Sequence, residues 1–349
     1  MGEVMGAGIT HYPGTLYPDE FILATLWRTL RRPGFPEHLK DPSAWPELMQ
    51  QEWGNDEGHT AAQAHRKALK DDLLRVRKEI DEFKPDLVMV WGDDQYENFR
   101  EDLIPPFAVF LMEESEVHPF TSMGNRGVEN PKNVRGEGPD ATFNIKVHSE
   151  AGKYLVKNLL AEGFDISYSY KFNHVSELGH AFSRVPVYLD YDKVGFPYPI
   201  VPLQVNCYGR NVFTQGGPTV QDKYEGMPSP SPARCFALGR AVARVFKASP
   251  WRVCLLASSS WSHAFLTPKH DYLYPDSEAD RRLFNALRDG DFDLWSKLTL
   301  EEIEYNGQPE VLNWVCLAGA MFELNMKPSY TNFVESHLFN SSKTAAVYR

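Results

Sequence analysis

The chain has 349 residues, of which 42% are hydrophobic and 13% aromatic, enough to build a sizeable core in one large or two ordinary domains. Its formal net charge of −11, with no long basic patch, argues against nucleic acid or an anionic membrane surface as partner. No stretch reaches the ~20 apolar residues a membrane-spanning helix needs, and the opening MGEVMGAGITHYPG lacks the basic segment and apolar core of a signal peptide.

In chain order, VMGAGIT reads as a short first strand that ends at His11. Pro18 to Leu30 suits a helix, with Asp19 and Glu20 in its first turn. Residues 31–58, rich in Pro, Trp and Gly, read as an ordered excursion. Thr60 to Phe83 carries the apolar stripe of a long amphipathic helix, and residues 86–91 follow as a strand. After the apolar run Phe107 to Met112, the polar segment 114–145 is long enough for a lid or binding loop. Glu150 to Glu162 reads as a helix; Ile166 to Tyr170, Val185 to Leu189 and Ile200 to Val205 read as strands. A Gly/Pro/Ser loop over 214–233 precedes the helix Ala233 to Lys247, then a buried strand, Arg252 to Ala257, runs into SSSWSH. Helices are expected to dominate from Ser277 to the C-terminus. Strands alternating with helices predict an α/β fold, a single-domain α/β/α sandwich over 1–349 around a mostly buried mixed sheet. Cys207, Cys235, Cys254 and Cys316 lie far apart in apolar surroundings without CxxC spacing, as expected for reduced thiols of a cytoplasmic protein.

The most telling stretch is DLVMVWGDDQYENF, residues 86–99. A run of buried-strand character stops at Gly92, and Asp93, Asp94, Gln95 and Glu97 crowd its exit, the end at which open α/β sheets carry their sites. Like charges so close repel unless they share a cation or a proton. Two readings stay open on these residues: a metal or acid/base site, and an acidic loop capping the next element. Three histidines sit in a similar context, His11 and His263 at strand ends and His180 after Gly179. A lone histidine of this kind is usually structural, but three of them beside an acidic exit point to a site. No HxH, HxxxH or HExxH spacing chooses the ligands. The SSSWSH segment is not a G-x-S-x-G elbow, MGAGIT is not a dinucleotide fingerprint, and Gly216-Gly217-Pro218 is too short for a phosphate loop.

Taken together and in order, these motifs resemble the class III extradiol ring-cleaving dioxygenases, specifically the catalytic beta subunit of protocatechuate 4,5-dioxygenase and its single-chain relatives. The resemblance runs through His11 and Pro13, DLIPPFAV at 102–109, VHSEAGKYL at 147–155, Gly179-His180, VPLQVN, PSPARCFALGRAVAR at 230–244, SSSWSH, PEVLNWVCLAGA at 309–320 and ESHLFNSSKTAA. It implies one α/β domain that holds Fe(II) with two histidines and a glutamate and cleaves a catechol with O2. It places the first ligand at His11, the carboxylate at Glu310, the acid/base histidine at His263 and a second pocket histidine at His180. At the second histidine ligand the chain departs: the family's Asn-Asp-His falls on Asp93-Asp94-Gln95. Gln95 offers only a neutral carbonyl oxygen, and Asp94 rotated inward would make a harder, more anionic set that also accepts Mn(II) or Zn(II). His59 is a remoter substitute. Tyr96 and Trp261 are expected to line the substrate pocket.

The expected function is therefore metal-dependent dioxygenase cleavage of a catechol-, aminophenol- or gallate-like aromatic, with Fe(II) as cofactor and a homo-oligomer as the assembly. A non-oxidative or hydrolytic metal-dependent enzyme on the same scaffold is the alternative, because a fold does not dictate its chemistry. A binding protein with a degenerate site is disfavoured, since buried unpaired carboxylates are costly.

Overall fold

The structure is a computed structural model that describes residues 2–124, 128–209 and 227–349. Its centre is an eight-stranded mixed sheet. Seven of its strands are β1 (Glu3–Ile9), β2 (Leu87–Asp93), β3 (Phe107–Phe110), β6 (Ser167–Ser169), β7 (Ile200–Val205), β8 (Arg252–Ser258) and β9 (Pro328–Val334), and the last is β10 (Lys343–Tyr348). The order is β6-β3-β7-β2-β8-β1-β10-β9. A separate hairpin pairs β4 (Glu114–Val117) with β5 (Phe143–Lys146) inside the segment read as a lid.

The four central strands β7, β2, β8 and β1 run parallel, with Ile9 opposite Ser258, Trp91 opposite Ala257 and Asp93 opposite Val205. Their carboxyl ends therefore finish side by side, the geometry in which α/β sheets collect ligands. Side chains alternate across a strand, and β2 uses both faces. Leu87, Met89 and Trp91 pack with the helices Ser149–Ala161, Pro232–Lys247 and Val311–Glu323, while Val88 and Val90 pack with His59–Phe83 and His180–Leu189. A strand covered on both faces must be apolar at every position, which is why its sequence shows no alternation.

The helix Val311–Glu323 lies unusually close to Pro232–Lys247. A Cβ on Gly239 would sit 1.8 Å from the Cys316 carbonyl oxygen, and one on Gly319 would sit 2.1 Å from that of Phe236. Both glycines let the two backbones touch, and that contact places Glu310, the residue just before the second helix, over the sheet.

Two expectations need correction. Val185 to Leu189 is not a strand but the end of the helix His180–Leu189, whose positions are mostly buried and so mimic a strand run. Helices do dominate after Ser277, up to Glu323, and β9 and β10 then complete the sheet, with KTAAVY fully buried between β1 and β9. Tertiary context here overrides weak β-propensity. The helix expected over Pro18 to Leu30 is two short helices, Asp19–Ile22 and Ala24–Leu30. The four cysteines are buried and free of disulfides. Gly216-Gly217-Pro218 and most of the 214–233 loop lie outside the described residues. Among the described residues, no helix is long and apolar enough to cross a membrane.

Candidate metal centre

At the carboxyl ends of the central strands, ligand atoms of His11, Asp93, His180 and Glu310 all lie within 4.8 Å of one another. His11 follows β1 and continues the face of Met5, Ala7 and Ile9, towards His180 at the start of its helix; their rings meet edge-on at 4.8 Å. Asp93 ends β2 and continues the opposite face, that of Trp91, towards Glu310. The sheet edge is thus approached from both sides, and the four groups converge above it.

The proton positions follow from the partners. His11 Nδ1 lies 3.1 Å from the Ser258 carbonyl oxygen, which can only accept, and the Ser258 hydroxyl is itself committed to the Ala181 carbonyl. Nδ1 therefore carries the hydrogen, and the bare Nε2 faces Glu310 Oε2 at 3.7 Å. Burial, reinforced by His180, holds His11 well below its ordinary value, so the ring is neutral. Burial and the charge of Glu310 push Asp93 well above the usual carboxylate range, and among the described residues its Oδ1 has no hydrogen-bond partner. A neutral imidazole lone pair, a fully buried glutamate and an unsatisfied buried aspartate, turned towards one point, form a donor set that fits a divalent cation.

His180 donates from Nδ1 to Glu97 Oε2 at 2.8 Å, and its Nε2 lies 3.8 Å from Asp93 Oδ2. Burial works against its charge, but Glu97 and Asp93 raise it to about 9. His263 donates from Nδ1 to the Trp261 carbonyl at 2.9 Å, which leaves Nε2 a free base 3.4 Å from Glu310 Oε1. Burial lowers its affinity for a proton, and Glu310 partly restores it.

Gln95 stands in the middle. Its Nε2 is 2.7 Å from the Tyr208 hydroxyl, 3.1 Å from Glu310 Oε1, 3.3 Å from His180 Nε2 and 3.5 Å from Asp93 Oδ2. The amide thus turns its donor towards the carboxylates, where coordination would use its carbonyl oxygen. Asp94 points elsewhere. Its carboxylate faces its own loop and accepts from the backbone N–H groups of Glu97, Asn98 and Phe99, at 2.6 to 3.2 Å. Burial raises it to about 6 against the pull of those N–H groups. Alternation along β2 explains the swap: Asp93 takes the inward position, and Asp94 closes the turn.

Tyr96 lines a narrow cleft, open to solvent, together with Asp94, Phe99, Ile104, Gln204, Asn206 and Tyr208. Trp261 does not line it. It is buried in the core, with ring centroids 5.4 Å from Trp314 and 5.8 Å from Trp295. His59 is exposed at the start of its helix, outside the cluster. Sequence reasoning passed over Tyr208, whose hydroxyl donates to Glu310 Oε1, and left Asp93 unassigned between its neighbours. The strand face of Asp93 was readable from Trp91; nothing in VNCYG marks Tyr208.

A family described as the catalytic LigB subunit of aromatic ring-opening dioxygenase matches residues 218–348. A 2,3-dihydroxyphenylpropionate/2,3-dihydroxicinnamic acid 1,2-dioxygenase of Photorhabdus laumondii is 23% identical over 216 residues, 62% of this chain and 55% of that protein. The protein of the same name from Comamonas testosteroni is 25% identical over 216 residues, 62% of this chain and 54% of its own length. A gallate dioxygenase of Pseudomonas putida is 26% identical over 180 residues, 50% of this chain and 46% of its own. The chain spans about half the length of the curated relatives it matches. These matches bear out the resemblance read from the motifs: residues 218–348, which include His263 and Glu310, are similar to the catalytic LigB subunit family of aromatic ring-opening dioxygenases.

Proposed function

We propose that the protein is a metal-dependent dioxygenase that opens the ring of a catechol- or gallate-like aromatic with O2. The observation that carries this reading is the pair His11 Nε2 and Glu310 Oε2, 3.7 Å apart, with Asp93 beside them and the free base His263 adjoining. His11, Asp93 and Glu310 would hold the cation, with His180 and Gln95 within reach. Fe(II) suits the reaction, because a redox-active cation supplies the electron exchange that O2 needs to react with a spin-paired ring.

The remaining work falls to the chain's own groups. The aromatic ring enters by the cleft that Tyr96, Phe99 and Tyr208 line. His263 Nε2 takes a ring-hydroxyl proton, and the imidazolium so formed lies 3.4 Å from Glu310 Oε1, which stabilises it until the proton is returned. His180, anchored by Glu97, orients the second ring oxygen. Both atoms of O2 enter the product, so no further reductant is required.

Oxygen-electrode assays of Fe(II)-loaded protein across catechols, gallates and aminophenols test the proposal. Uptake matched by loss of the aromatic absorption is expected; none with any of them would overturn it. The two carboxylates and an amide at the imidazole position favour one second reading, a non-oxidative or hydrolytic reaction on zinc. Tightly bound zinc and turnover without O2 would mark that case.

A further inference from the structure

We propose that Tyr208 is a positioning residue that makes Glu310 a one-oxygen ligand and so keeps a position open for the substrate; this rests on the metal-centre reading above. The two oxygens of Glu310 stand in different surroundings. Oε1 accepts from the Tyr208 hydroxyl and from Gln95 Nε2 at 3.1 Å, and His263 Nε2 lies 3.4 Å away. Oε2 accepts one bond, from the Ser260 N–H at 3.1 Å, and faces His11 Nε2. A carboxylate oxygen has two lone pairs. Those of Oε1 are taken by Tyr208 and Gln95, while Oε2 keeps one, directed at the other ligands.

Gln95 and Tyr208 also brace each other. The amide donates to the tyrosine oxygen at 2.7 Å, the tyrosine donates to Glu310, and both residues follow shortly after paired strands, β2 and β7. The ring of Tyr208 lines the cleft while its hydroxyl holds the carboxylate, so the residue that restrains Oε1 also borders the route by which a ring would arrive. Partners behind a metal ligand commonly orient it in this way. Released from Tyr208, Oε1 would be free to turn towards the cation that His11, Asp93 and Glu310 would hold, and so to compete with a substrate oxygen.

The test replaces iron by Co(II), whose visible absorption weakens as its coordination number rises. Tyr208→Phe loaded with Co(II) should absorb more weakly than wild type and bind catechol roughly 10-fold or more weakly, with Co(II) still held. Gln95→Leu removes the other donor to Oε1 and should shift both readouts the same way, which keeps the test open if Tyr208→Phe fails to fold. Unchanged Co(II) spectra and catechol affinity in a folded variant would overturn the role of Tyr208 alone. Wild-type protein that binds no Co(II) would overturn the metal-centre reading and this inference with it.

Discussion

The Nε2 lone pair of His11 and the Oε2 of Glu310 face each other at 3.7 Å, with the imidazole hydrogen committed to the Ser258 carbonyl behind the ring. The imidazole hydrogen points away from the carboxylate, so two acceptor atoms meet in a dry interior, and the same crowding pushes Asp93 well above the usual carboxylate range. The folded chain thus carries a local penalty that a cation would remove.

Metal should therefore stabilise the fold. At a free concentration of 100 times Kd, a cation that binds only the native state adds about 2.7 kcal/mol, visible as a rise in Tm that a chelator reverses. In Glu310→Gln the rise should vanish. Its metal-free Tm should stay near that of metal-free wild type, because one lost hydrogen bond of about 1 kcal/mol is offset by relief of the repulsion with Asp93. Calorimetric scans with and without Fe(II), Mn(II) or Zn(II) check both points.

Gly239→Ala should be among the most damaging small substitutions. Its Cβ would fall 1.8 Å from the Cys316 carbonyl oxygen, a rigid backbone atom in the facing helix. Overpacking of this kind costs about 1–3 kcal/mol or more, and it displaces the helix that Glu310 precedes. Urea melts should show the loss of stability, and metal titration should show weaker binding than in wild type.

Trp261 and Tyr96 should separate cleanly. Trp261→Ala empties a core site between Trp295 and Trp314 and should cost about 3–5 kcal/mol. Tyr96→Ala removes a cleft wall and should raise KM for the aromatic substrate with little change in Tm. The reverse pattern would mean that Trp261, not Tyr96, meets the substrate.

Lys343 supplies a pH signature. It is fully buried at the start of β10, donates to the Phe339 carbonyl at 3.0 Å and stacks over Tyr12. Burial lowers it to about 7 against the opposing charges of Glu52 and Asp280. The unfolded lysine, near its ordinary value, holds a proton that the native state has released above pH ~7, so the contribution of Lys343 to stability rises with pH through that point and levels off near pH ~10, opposed up to pH ~9 by His180, whose value is raised to about 9. Between pH ~7 and ~9 the gain is on the order of 2 kcal/mol. Lys343→Met should flatten this rise in denaturant melts at the two pH values.

Much of the site was legible one residue at a time. His11, His180 and His263 stood out because small residues precede each of them at a strand or helix boundary, and the structure gathers all three around Glu310. Glu310 itself follows Pro309 at a helix start, where a glutamate is ordinarily an exposed charge; only the family resemblance singled it out. The choice between Asp93 and Asp94 turned on which face of β2 each continues, and the sequence of a strand buried on both sides hides that alternation. Tyr208 had no local mark at all, since its partners Gln95 and Glu310 lie 113 and 102 residues away in the chain.

By itself, the sequence determined the α/β class, the central strands and the segments that end in chemistry, because apolar runs, glycines and histidines act locally on a few neighbouring residues. The tertiary structure decided how those ends meet. Parallel pairing of β1, β8, β2 and β7 aligns their carboxyl termini, and the Gly239–Gly319 contact sets Glu310 above them. Whether a carboxylate becomes a ligand or a turn anchor depends on which donors lie within about 3 Å, and those donors come from distant parts of the chain.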